Sequence, residues 1–182
     1  MNYDAKNKSV RLTVFHIVMF GLLGAMMFAG DVLMEWLPNV HFVGILIVAA
    51  TVVYRAKALF PLYIYVFLSG LFGGFSTWWI PYLYVWTVLW GMAMLIPQRL
   101  PNKAAPFVYA AVCGLHGLLF GTLCAPAQML LFGLNVEGTL AWIAAGLPFD
   151  LIHAAGNAVG GLVLIAPMVT ALTSAEKFAH TS

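Results

Sequence analysis

The chain has 182 residues, of which 63% are hydrophobic and only 8% are charged, and its mean hydropathy is +0.97. This composition excludes a water-soluble domain and predicts an all-α integral membrane protein. A net charge of +2 without a basic stripe argues against nucleic-acid binding, and the absence of a Gly-x-x-x-x-Gly-Lys-Ser/Thr loop argues against ATP hydrolysis by that route.

Six apolar runs predict a six-transmembrane-helix bundle that forms one membrane domain over residues 1–182. The predicted helices cover about 12–36, 41–59, 62–80, 82–97, 106–133 and 140–170. Each crossing needs roughly 20 residues, so the chain length allows about six. The break at Ile80-Pro81 is the weakest, because aromatic residues continue through it, and a five-helix bundle remains open.

The positive charges predict the orientation, because Lys and Arg near span ends stay in the cytoplasm. With six spans and both termini inside, all eight basic residues lie on the cytoplasmic side. They are Lys6, Lys8, Arg11, Arg55, Lys57, Arg99, Lys103 and Lys177. Asp31, Glu35 and Glu137 then fall at the outer ends. The first apolar run is too long for a signal peptide, so we expect an uncleaved first helix.

Small residues recur at every fourth position of the first helix, at Gly21, Ala25 and Ala29. Such a strip lets another helix backbone approach closely, either inside the bundle or from a partner protein. Gly117 with Gly121 and Gly156 with Gly160 repeat this spacing in later helices, where internal packing is the expected role.

The predicted outer turn between the third and fourth helices is dense in aromatic residues. Five large rings lie within nine residues: Trp78, Trp79, Tyr82, Tyr84 and Trp86. Trp and Tyr commonly form belts at membrane interfaces, which is one interpretation. The other is the wall or lid of a site that stacks on a large flat ligand.

The two cysteines share the fifth helix and are not expected to pair. Cys113 and Cys124 are eleven residues apart, which at 1.5 Å per residue separates them by roughly 16 Å. We expect both to be small core residues.

The sixth helix carries an acid, an imidazole and an amide in the stretch PFDLIHAAGN. At 100° per residue, Asp150, His153 and Asn157 fall on one face of the helix, which cannot be the lipid face. The three side chains either bond neighbouring helices, or line a ligand cavity with Asn157 as a deep clamp, or relay protons between Asp150 and His153.

In size, topology, the Ala25-x-x-x-Ala29 strip and the PFDLIHAAGN segment, the chain resembles the substrate-binding S components of energy-coupling factor (ECF) vitamin transporters. The resemblance implies that Gly21, Ala25 and Ala29 dock on a transmembrane T component, which two ATPase subunits drive. It implies no cofactor in the chain itself, and a prokaryotic plasma-membrane location.

The resemblance also implies a mechanism: the S component captures a vitamin at its outer face and topples in the membrane to deliver it. The regions that bind vitamins in this family correspond here to Asn39, His41, the five aromatic residues of the outer turn, Asn135, Glu137, Asp150 and His153, with Asn157 as the deepest member of the stripe.

The charges limit the choice of vitamin. A ligand that carries a carboxylate is usually bound by Arg or Lys, and the outer half of the bundle has neither. A neutral or cationic vitamin fits better. The outer turn, the segment from Pro38 to His41 and the helix 6 stretch look most like the cobalamin-specific S components. Riboflavin, thiamine and pyridoxal-type vitamins are the alternatives. His41 either contacts the corrin cobalt or forms an interfacial hydrogen bond.

Two other classes remain open. A membrane-embedded hydrolase or transferase would use Asp150 and His153 as acid and base, but no nucleophile accompanies them. The second class is a carrier that works without partner subunits and is driven by a proton gradient, although the chain is small for a carrier and has no visible inverted repeat. We therefore expect a protein that is not an enzyme and holds no metal.

Overall fold

The structure is a computed structural model that describes residues 12–35, 42–98 and 100–181. Within these ranges there is no β-strand, and the all-α expectation is confirmed. The described residues form the α-helices α1 Val14–Leu33, α2 Val43–Tyr54, α3 Leu59–Gly73, α4 Tyr82–Met94, α5 Ala105–Phe132 and α6 Val136–Thr181. One turn of 3₁₀ helix, Arg55–Ala58, joins α2 to α3.

Several of these helices have the length and composition of membrane spans. Four segments qualify among the described residues: Val14–Leu33, Val43–Gly73, Ala105–Phe132 and Val136–Ala179. Helix α4 is equally apolar but shorter. Large apolar side chains such as Val14 and Leu130 are 78% and 84% exposed, which water would not tolerate over so large a surface. These are the features of a membrane-embedded protein.

The segment Val43–Gly73 reverses direction at its middle. The rings of Tyr54 and Phe60, on either side of the 3₁₀ turn, both lie against Phe20 of α1, at centroid distances of 5.0 and 6.1 Å. The far ends of α2 and α3 both reach the last turns of α1, in the pairs Phe42 with Gly30 and Phe72 with Phe28. Helices α2 and α3 therefore run antiparallel to each other and both lie against α1, with α2 antiparallel and α3 parallel to it.

Arg55 makes this reversal possible. Its backbone has φ of 53°, a left-handed value that is uncommon outside glycine. The guanidinium donates hydrogen bonds to the carbonyls of Met94 and Ile96 at the end of α4. The Arg55 carbonyl accepts a bond of 3.1 Å from the Trp90 indole. These contacts hold the turn and fix it against α4.

Helix α2 lies at the centre of the bundle. Ten of its twelve residues are buried, and Thr51 satisfies its hydroxyl by donating to the carbonyl of Ile47 at 2.7 Å. A helix that is apolar on all sides can be stable only when other helices surround it. Helices α1, α4, α5 and α6 pack around α2 in this way.

Helices α5 and α6 form a close antiparallel pair because glycines replace side chains along their contact. A Cβ atom on Gly117 would lie 2.9 Å from the backbone of Ala154, which is too close for any real atom. Four such pairs run along the contact: Gly114 with Ala158, Gly117 with Ala154, Gly121 with Asp150 and Gly161 with Ala110. The expected internal packing role of Gly117 and Gly121 is confirmed, and both cysteines are buried and unpaired.

Two predicted helix ends were wrong. Helix α3 ends at Gly73 rather than near 80, because Gly74 has φ of 87° and begins a turn. Helix α6 does not end near 170 but continues through Pro148 and Pro167 for 46 residues. A proline removes one backbone donor, which neighbouring helices and local adjustment can offset in a membrane helix.

Candidate functional site

The described basic residues gather at one end of the bundle, which we call the basic end. It contains the 3₁₀ turn with Arg55 and Lys57, the start of α5 after Lys103, and the end of α6 with Lys177. Nε2 of His16, at the start of α1, lies 3.0 Å from the Glu176 carboxylate on the last turns of α6. Lys6, Lys8, Arg11 and Arg99 lie outside the described residues.

The polar stripe of α6 lies in the half of the bundle away from the basic end and turns inward. Asp150, His153 and Asn157 are 5%, 2% and 2% exposed. The predicted shared inward face is therefore confirmed. Burying such groups costs a few kcal/mol each unless they find partners, so their contacts determine what they do.

Asp150 binds the neighbouring helix. Its two carboxylate oxygens accept the backbone N–H of Gly121 on α5, at 3.0 and 3.2 Å. A side chain at position 121 would occupy the place of this carboxylate, since a Cβ there would lie 2.5 Å from Oδ2. Asp150 thus joins α5 to α6, which is the first of the three predicted roles.

His153 and Asn157 contact other helices. The imidazole of His153 packs edge-to-face on Phe120 of α5, with ring centroids 4.9 Å apart. The amide nitrogen of Asn157 lies 3.8 Å from where a Cβ on Gly44 of α2 would be. The amide of Asn157 therefore lies beside the central helix, within ordinary van der Waals range of position 44.

Five rings from three helices form a cluster next to this stripe, which we call the aromatic core. Its members are Tyr65, Tyr82, Trp86, His116 and Phe120. Trp86 is at the centre, 5.9 Å from Tyr65, 5.6 Å from Tyr82, 5.7 Å from His116 and 5.6 Å from Phe120. Phe120 connects the core to His153, so the stripe and the core form one continuous interior region.

Sequence reasoning did not identify three members of the aromatic core, namely Tyr65, His116 and Phe120. His116 stands alone in an apolar run, and only its glycine neighbours, Gly114 and Gly117, indicated that it lies at a close helix contact. Tyr65 lies in a helix without other polar signals. It donates a 3.0 Å hydrogen bond to Asp31, which was predicted only as an outer-end acid.

The aromatic residues of the outer turn separate into two groups. Trp79 donates its indole N–H to the carbonyl of Val66 at 2.7 Å, and Tyr84 donates its hydroxyl to the carbonyl of Leu123 at 2.7 Å. The first bond joins the outer turn to α3, and the second joins α4 to α5. Trp78 is 40% exposed and packs edge-to-face on Tyr82, while Tyr82 and Trp86 lead into the aromatic core.

Three polar atoms of this region have no hydrogen-bond partner among the described residues. They are Nε1 of Trp86, Nδ1 of His116 and Oδ1 of Asn157. The other imidazole nitrogen of His116, Nε2, lies 3.1 Å from the carbonyl of Val85 and must therefore carry the proton. Nδ1 is then an acceptor. Buried polar atoms are nearly always paired, so these three atoms are candidates for hydrogen bonds to a bound molecule or to water.

The small-residue strip of α1 faces away from the bundle. Ala25 and Ala29 are exposed, and a Cβ on Gly21 would meet open space. Gly24 instead packs against α3, because a Cβ there would lie 2.5 Å from Cγ2 of Ile64. The strip is therefore accessible to lipid or to another membrane helix.

Asn39 and His41 lie outside the described residues. In the part of the chain that the structure describes, no group of three His, Cys, Asp or Glu side chains is placed to hold a metal ion. The chain matches no family model, no curated protein and no solved structure.

Proposed function

We propose that this protein is the substrate-specificity subunit, the S component, of an ECF-type importer for a vitamin. The observation that carries the proposal is the buried polar and aromatic region, the aromatic core with the α6 stripe, in the half of the bundle away from the basic end. A membrane protein that buries unpaired polar atoms has a functional reason to do so.

The orientation follows from the charges. If the basic end is cytoplasmic, the aromatic core lies in the outer half of the membrane, where an importer meets its substrate. In this arrangement the chain crosses the membrane six times and both termini are cytoplasmic. Trp78 and Tyr82 then form a route of rings from the outer turn to the buried Trp86.

The exposed small-residue strip of α1 supports the proposal that a partner protein binds the bundle on the α1 side. The chain has no nucleotide-binding loop, so active uptake needs other subunits. The T component would dock on Gly21, Ala25 and Ala29, two ATPase subunits would supply the energy, and toppling of the S component would open the site inward. The S component itself is not an enzyme and carries no cofactor.

The charges of the described residues favour a neutral or cationic substrate. The half away from the basic end contains the carboxylates of Asp31, Glu35, Glu137 and Asp150 and no described Lys or Arg. Cobalamin is the first candidate, and riboflavin, thiamine and pyridoxal-type vitamins are the alternatives.

The test is purification in mild detergent from a cell that expresses the whole transporter. Mass spectrometry should find a vitamin retained by the protein, and the T component and both ATPases should copurify with it. A protein that purifies without partners, and that dissipates a proton gradient across a membrane, would instead support the carrier that acts alone.

A further inference from the structure

Trp86 and His116 present a complementary pair of unpaired polar atoms in the same interior region. Trp86 offers a donor, the indole Nε1–H, and His116 offers an acceptor, Nδ1. Their side chains are 2% and 0% exposed, so bulk water does not satisfy either atom. The two rings lie side by side, with centroids 5.7 Å apart.

One small polar group can satisfy both atoms at once. Because the two rings are neighbours, a single group of a bound molecule can form a hydrogen bond of about 2.8 Å to each of them. That group must accept a hydrogen bond from Trp86 and donate one to His116. A hydroxyl does both, and an amide does so with its oxygen and its N–H.

We infer that the substrate carries a hydroxyl or amide group that binds between Trp86 and His116, accepting from Nε1–H of Trp86 and donating to Nδ1 of His116. This inference rests on the proposed function and specifies the substrate chemistry. A site of this kind rejects a ligand that lacks the group, because both protein atoms would then remain buried and unpaired. Phe120 packs on both rings, and Tyr82 packs on Trp86.

The test uses two substitutions that each remove one of the bonds. Trp86→Phe keeps a ring but removes the N–H. His116→Gln keeps a donor near the Nε2 position for the Val85 carbonyl, and it removes the Nδ1 acceptor. His116→Asn places an amide oxygen near the Nδ1 position and serves as a partial rescue. Trp90→Phe is the matched control, because the Trp90 indole bonds Arg55 near the basic end.

The detergent-purified protein is titrated with cobalamin, riboflavin, thiamine and pyridoxine separately in a calorimeter. For the vitamin that the wild-type protein binds, Trp86→Phe and His116→Gln should each weaken affinity roughly tenfold or more, the effect of one buried hydrogen bond. His116→Asn should recover part of the loss. The double variant should lose less than the product of the single effects, because both bonds go to one group.

If neither single variant changes the affinity for the vitamin, the inference is overturned. Trp86 and His116 would then bond to each other or to a trapped water. That result would leave the proposed function intact as long as the wild-type protein binds a vitamin. If the variants fold poorly, the indole N–H band of Trp86 in ultraviolet resonance Raman spectra of the wild-type protein should shift when the vitamin is added. An unshifted band would equally overturn the inference.

A wild-type protein that binds none of the four vitamins and retains no small molecule from the cell would contradict the proposed function itself.

Discussion

Gly117→Ala should destabilise the protein through the contact between α5 and α6. The added Cβ would lie 2.9 Å from both Cα and N of Ala154, and 3.0 Å from the carbonyl carbon of His153. These are backbone atoms and cannot rotate away, so the helices must separate. Overpacking of this kind costs about 1–3 kcal/mol. Alanine recovers about 1 kcal/mol of helix propensity relative to glycine, so the net loss is about 0–2 kcal/mol.

Gly91→Ala is the matched control for this change. Gly91 lies within α4, and a Cβ there would meet nothing within 4 Å, so alanine should stabilise the protein by about 0.5–1 kcal/mol. The difference between the two variants cancels helix propensity and isolates the clash. Thermal unfolding in detergent, followed by intrinsic fluorescence, should place Gly117→Ala several degrees below Gly91→Ala, given about 2–4 °C per kcal/mol. Equal unfolding temperatures would refute the close α5–α6 contact.

Three further changes test individual contacts. Asp150→Asn should fold nearly as well as the wild-type protein in a detergent melt, because an amide oxygen still accepts from Gly121, whereas Asp150→Leu should lower the melting temperature. Ala25→Trp should block vitamin uptake by whole cells yet leave vitamin binding unchanged, because position 25 faces outward; unchanged uptake would contradict docking at this strip. Trp79→Phe should cost about 1 kcal/mol of stability, measured by chemical unfolding, because it removes the bond to the Val66 carbonyl.

The parts of this structure that follow simple periodicity could be predicted from the sequence. Asp150, His153 and Asn157 fall on one helical face at 100° per residue, and all three are buried. Apolar runs likewise predict the six helices, because a helix that lies in lipid needs continuous apolar residues. The end of α3 was misplaced because Gly74 interrupts an aromatic run without changing its apolar character.

The contacts of the site depend on distant pairings that periodicity does not encode. The sequence left the aromatic turn open as an interfacial belt or a ligand wall, and it did not predict that the polar atoms of Trp79 and Tyr84 bond backbone carbonyls of neighbouring helices. His116 was not predicted as part of the site, because a single histidine in an apolar run gives no periodic signal. Its environment comes from α4, about 30 residues earlier in the chain.

Asn157 provides the strongest distinction between a structural and a binding role for the stripe. If the amide were present only to join helices, its oxygen would have a partner, yet Oδ1 is buried without one in the described residues. An unpaired buried acceptor costs about 1–3 kcal/mol, and an apolar side chain of similar shape avoids that cost. Asn157→Leu should therefore raise the thermal stability of the vitamin-free protein and weaken vitamin binding, the usual exchange of stability for function. The same two assays on the wild-type protein give the reference. A variant that is less stable without vitamin, and that binds vitamin normally, would mean that the amide holds helices together and that the site lies elsewhere.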